Sequence, residues 1–168
     1  MRNMTRDFST TRFGDLHIDD NDIFIFNEGI PAFERHKEWI LIGNDENPIK
    51  WLQSLYDGAI ALPVIPPDVI MNGYNARISK QELESIGMET PDDLVLLLVV
   101  SIPSSPRDMT VNLRAPLVIH RKKRIGRQII AENEEYAVRQ RLWSEEVEKN
   151  LTGRRKDDPA VHSSCEDR

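Results

Sequence analysis

Cysteine is nearly absent from this sequence: Cys165, three residues from the C-terminus, is the only one. No intramolecular disulfide or thiolate metal cage can form, and a thiol in a polar terminal stretch has no base held against it, so it is not a catalytic nucleophile. No apolar run approaches the ~20 residues of a membrane helix; the longest, "LVLLLVVSI" from Leu94, suits a buried strand. The opening "MRNMTRDFSTTRF" has charge without an apolar core behind it, so it is not a secretion signal. A cytoplasmic protein with no membrane contact is expected. Nucleotide loops are missing too, since neither G-x-x-x-x-G-K-[ST] nor G-x-G-x-x-G occurs. His17, His36, His120 and His162 stand singly, never at the i, i+4 spacing of a zinc helix, so no metal and no other cofactor is expected. Positive charge is in the minority, 22 basic against 28 acidic residues for a net charge of -6. That balance speaks against a general nucleic-acid binder and suits a basic protein partner.

What is present is the material of a single β domain. The 168 residues suffice to bury roughly two thirds of the unfolded surface without metal or disulfide. Glycines at 14, 29, 43, 58, 73 and 87 share no context and read as turn punctuation rather than a repeat. Between them lie strand candidates: "DLHI", "DIFIF", "EWILI", "AIALPVI", "LVLLLVVSI", "TVNLRAPLVIH" and "RIGRQII". Short strands at this spacing predict a mainly β fold, an antiparallel barrel-like sheet with one or two short helices. Pro63 and Pro116 mark edges or bulges, because proline cannot donate to a ladder, and Pro116 falls inside the strand read from Thr110. One helix is signalled by Ser79 and Glu82 as a capping pair, with Gly87 as its stop. Residues 134–149 read as extended at their start and helical at their end. The domain is expected to span residues 1–151, with 152–168 a disordered polar tail.

Two charged stretches are candidate sites. In "GDLHIDDNDIFIFNEG", Asp19, Asp20 and Asp22 fill an expected hairpin turn and Glu28 stands beside Gly29. A hydrolase would use two such carboxylates as acid and base, which requires a partner nucleophile or an apolar pocket that the sequence does not offer. A solvated turn, or an acidic contact for a basic protein, fits better. The run "HRKKRIGR" holds Arg121, Lys122, Lys123, Arg124 and Arg127. An RNA-binding barrel using residues 121–127 is the alternative reading, but no aromatics interleave the cations to stack bases. Trp51 is expected in the core, or as a partner anchor if exposed.

Three segments together resemble the FliW family of bacterial flagellar assembly factors. "TRFGDLHIDDNDIFIFNEGIPAFE" is similar to that family's opening, a Phe-Gly turn followed by Phe-x-x-Gly-[Ile/Leu]-Pro-Gly-Phe-Glu, here with Gly29, Pro31 and Phe33. "PIKWLQSLYDGAIALPVIPP" resembles its Trp-Leu-Gln-Ser segment and the strand after it. "VNLRAPLVI" with "GRQII" resembles its Asn-Leu-x-[Ala]-Pro strand and Gly-x-Gln partner, placing Asn112 and Pro116 as structural residues. Two positions depart from the pattern: Ala32 replaces the second glycine, and Arg141 replaces a proline near the domain's end. The resemblance implies a non-enzymatic barrel-like domain that binds the translational regulator CsrA, relieving its repression of messages such as flagellin, and that also binds flagellin. It implies no direct contact with nucleic acid. The Asn112 amide is then expected to satisfy backbone groups beside Pro116. Asp19, Asp20, Asp22, Glu28 and Trp51 are the candidate partner-binding residues.

Overall fold

The computed structural model describes residues 4–142. The expected tail 152–168, the helical end of 134–149 and Cys165 lie outside the described residues. In chain order the strands are β1 (Thr5–Thr10), β2 (Gly14–Asp19), β3 (Phe24–Ile25), β4 (Glu38–Ile42), β5 (Lys50–Ser54), β6 (Ala61–Ile65), β7 (Leu94–Ser101), β8 (Thr110–Val111), β9 (Leu117–His120), β10 (Ile125–Gln128) and β11 (Gln140–Arg141). The α-helices are α1 (Pro67–Ile70) and α2 (Lys80–Ser85). β3, β4, β5, β6, β7, β9 and β10 close into a barrel, β8 and β11 extend it beyond β7, and β1 with β2 forms a separate hairpin. The expected mainly β, single-domain fold is therefore present. It differs in one pairing: β3 and β10 meet in parallel, with Ile125 opposite Ile25, and this short contact closes the barrel.

The apolar run of β7 shows how a continuous hydrophobic strand is used. Val95, Leu97 and Val99 pack in the barrel interior with Phe26, Trp39, Leu52 and Leu117. Leu94 and Leu96 face the opposite way, onto Ile86, Met88 and Leu83 around α2, and Leu98 and Val100 join a third cluster with Met109 and Leu113. Both faces are covered, so period-2 alternation of polarity is lost, as in other doubly buried strands. α2 forms as expected: the Ser79 hydroxyl accepts from the Glu82 N–H at 3.2 Å, and Gly87 ends the helix at φ +72°.

Pro116 does not interrupt a strand. β8 and β9 both lie antiparallel along one edge of β7, with Val100 opposite Val111 and Leu97 opposite Leu117. Residues 112–116 therefore face only Leu98 and Val99, a bulge of three extra residues ending where β9 begins. Proline is tolerated there because no ladder N–H is due from it. The Asn112 Oδ1 accepts from the backbone N–H of Arg114 at 3.1 Å and of Ala115 at 2.9 Å, the role expected of it. Asn112→Ala strands both donors and is expected to lower the stability by about 1–2 kcal/mol, read as a fall in the urea midpoint. Pro63 lies within β6 at the point where that strand's ladder with β7 stops, since pairing begins only at Val64.

The long connection after α1 is pinned by Tyr74, which stacks on Tyr136 with ring centroids 5.0 Å apart and donates its hydroxyl to the Leu113 carbonyl at 2.6 Å. Burial, and then the neighbouring Tyr136, push the Tyr74 phenol from 10.0 up to about 12. The folded state thus favours the neutral phenol. Its contribution is full below pH 10 and is lost as the pH rises through about 12. Stability measured by urea titration should fall across that window, and Tyr74→Phe should flatten the fall.

Candidate functional site

The basic run is a turn whose backbone is shaped by its own histidine. His120 is buried, and its Nδ1 accepts from the backbone N–H groups of Lys122 and Lys123 at 3.2 and 3.1 Å. Each cation is then engaged within the molecule. Arg121 and Lys122 stand 3.8 and 3.6 Å from the carboxylate of Asp93, and the Lys123 ammonium donates to the Gly87 carbonyl at 2.9 Å. The Arg124 guanidinium lies over the Phe24 ring at 4.1 Å and 3.9 Å from Asp22. Arg127 meets Glu28 at 2.6 Å and donates to the Ser85 hydroxyl at 3.1 Å. Asp93 is buried, but each of these pairs keeps one exposed partner and contributes little stability by itself, yet together they turn a row of cations into a compensated surface.

Two of the acidic candidates are therefore the counter-ions of the basic run, a pairing that separation in sequence conceals. The acidic stretch is also not a hairpin turn: it is a single 3-10 turn, Asp20–Asp22, carrying the chain from β2 in the hairpin to β3 in the barrel. Asp19 caps that turn by accepting from the Asn21 N–H at 2.9 Å. Trp51 belongs to neither the core nor an open surface. It is half-buried, with the Arg12 guanidinium 3.8 Å above its ring and Phe13 edge-on at 6.5 Å. Arg12 and Phe13 sit at the closed end of the β1–β2 hairpin, whereas Asp19 pairs with Thr5 at the open end. Five residue steps of about 3.4 Å separate those ends, so Trp51 and the acidic turn are distinct places.

The remaining motif residues converge. Ile30 O accepts from Phe33 N at 2.6 Å across Pro31 and Ala32, and Ala32 has φ 76°. This is the signature of a type II turn, with proline at the second place and a left-handed residue at the third. The backbone is thus left-handed despite alanine. The departure from the family pattern changes the residue and keeps the conformation, at a steric cost of about 1–2 kcal/mol. Ala32→Gly should relieve that cost, offset in part by glycine's greater freedom when unfolded, for a gain of about 0.5–1 kcal/mol in urea unfolding. The other departure, Arg141, lies in β11 and pairs with Asp108 at 2.8 Å, tying that edge down.

Pro31 and Phe33 from this turn, Asn112 from the bulge and Gln128 from β10 line one groove of about 240 Å³ at the mouth of the barrel. Gln128 donates its amide to the Ala115 carbonyl at 2.9 Å, bracing the bulge from the other side. Val138 and Arg139 complete the rim, and nothing in the sequence singled them out. The Trp-Leu-Gln-Ser segment is structural. Gln53 is fully buried with its amide held to the carbonyls of Ser54 and Ile60 at 2.9 and 3.0 Å, and the Ser54 hydroxyl lies 2.7 Å from His36 Nδ1. Among the described residues no group of three or more His, Cys, Asp or Glu side chains could hold a metal ion, and no helix is long and apolar enough to cross a membrane.

Comparison with known proteins gives this arrangement a context. The profile of the family described as "FliW protein" matches residues 7–142. The chain is 40% identical over 144 residues to the flagellar assembly factor FliW of Thermotoga maritima, covering 84% of this chain and 96% of that protein. It is 35% identical over 142 residues to the factor of the same name from Alkaliphilus metalliredigens, covering 83% of this chain and 87% of that one. A crystal structure of the flagellar assembly factor FliW superimposes with a TM-score of 0.76 at 31% identity, covering 83% of this chain and 99% of the other.

Proposed function

The chain belongs to the FliW family of flagellar assembly factors, and from that premise we propose that it serves flagellum biogenesis by binding two proteins: the translational regulator CsrA and flagellin. By binding CsrA it relieves repression of target messages such as that of flagellin, and by binding flagellin it acts as a chaperone-like partner in the cytoplasm. Secretion of flagellin would then free the protein to act on CsrA. The observation that carries this reading is the extent of the family match, which spans residues 7–142 and so takes in every motif segment of the domain.

The charge distribution supports contact with a protein rather than with RNA. CsrA must present cationic surface to phosphates, and a partner of net charge -6 would be steered towards it. The cations at 121–127, by contrast, are engaged by Asp93, Asp22, Glu28 and the Gly87 carbonyl, so phosphate would have to displace those partners. A binding role without catalysis fits a chain in which the candidate carboxylates serve as a cap and as counter-ions.

The test is a titration with purified protein, CsrA, a flagellin and a labelled leader RNA of a CsrA target. Binding to both proteins at micromolar concentrations is expected, with release of the RNA from CsrA as the protein is added. A gel shift of RNA by the protein alone, or failure to bind both CsrA and flagellin, refutes the reading.

A further inference from the structure

We propose that the groove at the barrel mouth docks an extended peptide of a partner protein, taking one apolar side chain into its floor and one carboxylate beside Arg139. The inference rests on the reading that this chain works by holding proteins, and it assigns the place and the chemistry of one such contact.

The floor is apolar. Phe33, Leu62 and Val99 line it and pack against the barrel core from outside the fully buried set. Its volume of about 240 Å³ admits a side chain with a stretch of backbone and is too small for a folded element. Val138 stands on the rim with 56% of its surface exposed, an apolar residue facing solvent where the chain could have placed a polar one.

The rim offers a donor and an acceptor not used among the described residues. The Asn112 Oδ1 is taken by the N–H groups of Arg114 and Ala115, which leaves its Nδ2 to donate. The Gln128 Nε2 is given to the Ala115 carbonyl, which leaves its Oε1 to accept. An extended backbone presents N–H and C=O groups in alternation and can use both.

Charge then selects the occupant. Among the described residues Arg139 is the only charged one lining the groove, and among them it has no ion-pair partner. Arg121, Arg124, Arg127 and Arg141 all have carboxylates within 4 Å or less. In a chain of net charge -6, a guanidinium with no carboxylate partner among the described residues, set beside an apolar floor, fits a peptide carboxylate. Nucleic acid fits poorly, because it engages several phosphates along a basic track and this groove has one cation.

The experiment uses the full chain, labelled with nitrogen-15, and two probes: acetyl-Ala-Leu-Ala-Glu-Ala-amide and its counterpart with Gln for Glu. The glutamate peptide is expected to shift the backbone amides of Val99, Asn112 and Val138 and to bind about threefold more tightly than the glutamine peptide, the size of an exposed charge pair. Arg139→Glu, at an exposed position, should erase or reverse that preference while the melting temperature is kept. The proposal is overturned if neither peptide shifts these amides at millimolar concentration, if the two bind equally, or if the preference survives in Arg139→Glu. It is overturned also if the same amides shift with protein concentration alone, which identifies a second copy as the occupant. A shift on deletion of residues 143–168 likewise overturns it and identifies the chain's own segment. The same variant is titrated with CsrA and flagellin: unchanged affinity for both defeats the groove and leaves the partner reading standing. Failure of the parent protein to bind either partner defeats that reading, while the peptide result is judged on its own.

Discussion

Gly29→Ala is expected to lower the unfolding free energy by about 3 kcal/mol, the sum of a left-handed backbone penalty of about 1–2 and an overpacking cost of about 1–3. Gly29 has φ +69°, and a Cβ built on it would lie 2.5 Å from the Glu34 Cα and 2.6 Å from the Glu34 carbonyl oxygen. Both obstacles are backbone atoms, so no rotamer change can clear them. The segment cannot shift easily either. The Gly29 N–H donates to the Phe26 carbonyl at 2.8 Å, and Phe26 and Ile30 on its two sides are buried in the barrel interior. Urea unfolding should place the midpoint roughly 1–2 M below the parent at unchanged slope. A loss under about 1 kcal/mol would mean that the 29–34 loop is free to relax, and the fixed position of Phe33 in the groove would be lost with it. The contrast with Ala32→Gly, three residues along the same loop and opposite in sign, separates local strain from a general effect of altering the turn.

How far the sequence disclosed this molecule depended on the range of the signal. Signals carried by adjacent residues were readable: the Ser79 cap and Gly87 stop of α2, the doubly buried run of β7, and the bracing of the 112–116 bulge by Asn112. Strand β1 was not, because its inward positions are Arg6, Phe8 and Thr10, so burial alternates along "TRDFST" while only one of the three inward side chains is apolar. The parallel closure of the barrel was hidden for another reason. It rests on one paired position, Ile25 with Ile125, and a contact a hundred residues apart leaves no periodic trace. In the sequence the two charged stretches stand apart, an acidic one at 19–28 and a basic one at 121–127. Their complementarity, Asp22 to Arg124 and Glu28 to Arg127, exists only once the barrel sets β3 beside β10. The groove shares this character: Pro31, Phe33, Asn112 and Gln128 were visible as motif residues, while Val138 and Arg139 become part of a site only through the fold.

Trp39→Ala is expected to cost about 4 kcal/mol, within the range for emptying a buried tryptophan site, and to weaken the groove as well as the barrel. Trp39 is fully buried in the interior cluster, and its Nε1 donates to the His36 carbonyl at 2.8 Å, so removal leaves both a void and an unpaired acceptor. The ring also organises its surroundings. His36 stacks on it with centroids 5.7 Å apart, and Phe33 meets it edge-on at 6.3 Å. Phe33 is the groove's aromatic floor, so the same ring that fills the barrel fixes the surface a partner would meet. Trp39→Phe separates the two contributions, since it restores most of the volume and the edge contact but not the indole donor. Its cost should fall to about 1–2 kcal/mol, the price of one unsatisfied carbonyl and a small void. Thermal and urea unfolding of the two variants give the stability ledger, and amide shifts of Val99 and Asn112 report the groove. Equal losses in both variants would place the whole effect in the His36 hydrogen bond, whereas groove shifts in Trp39→Ala alone would show that ring volume holds Phe33 in place.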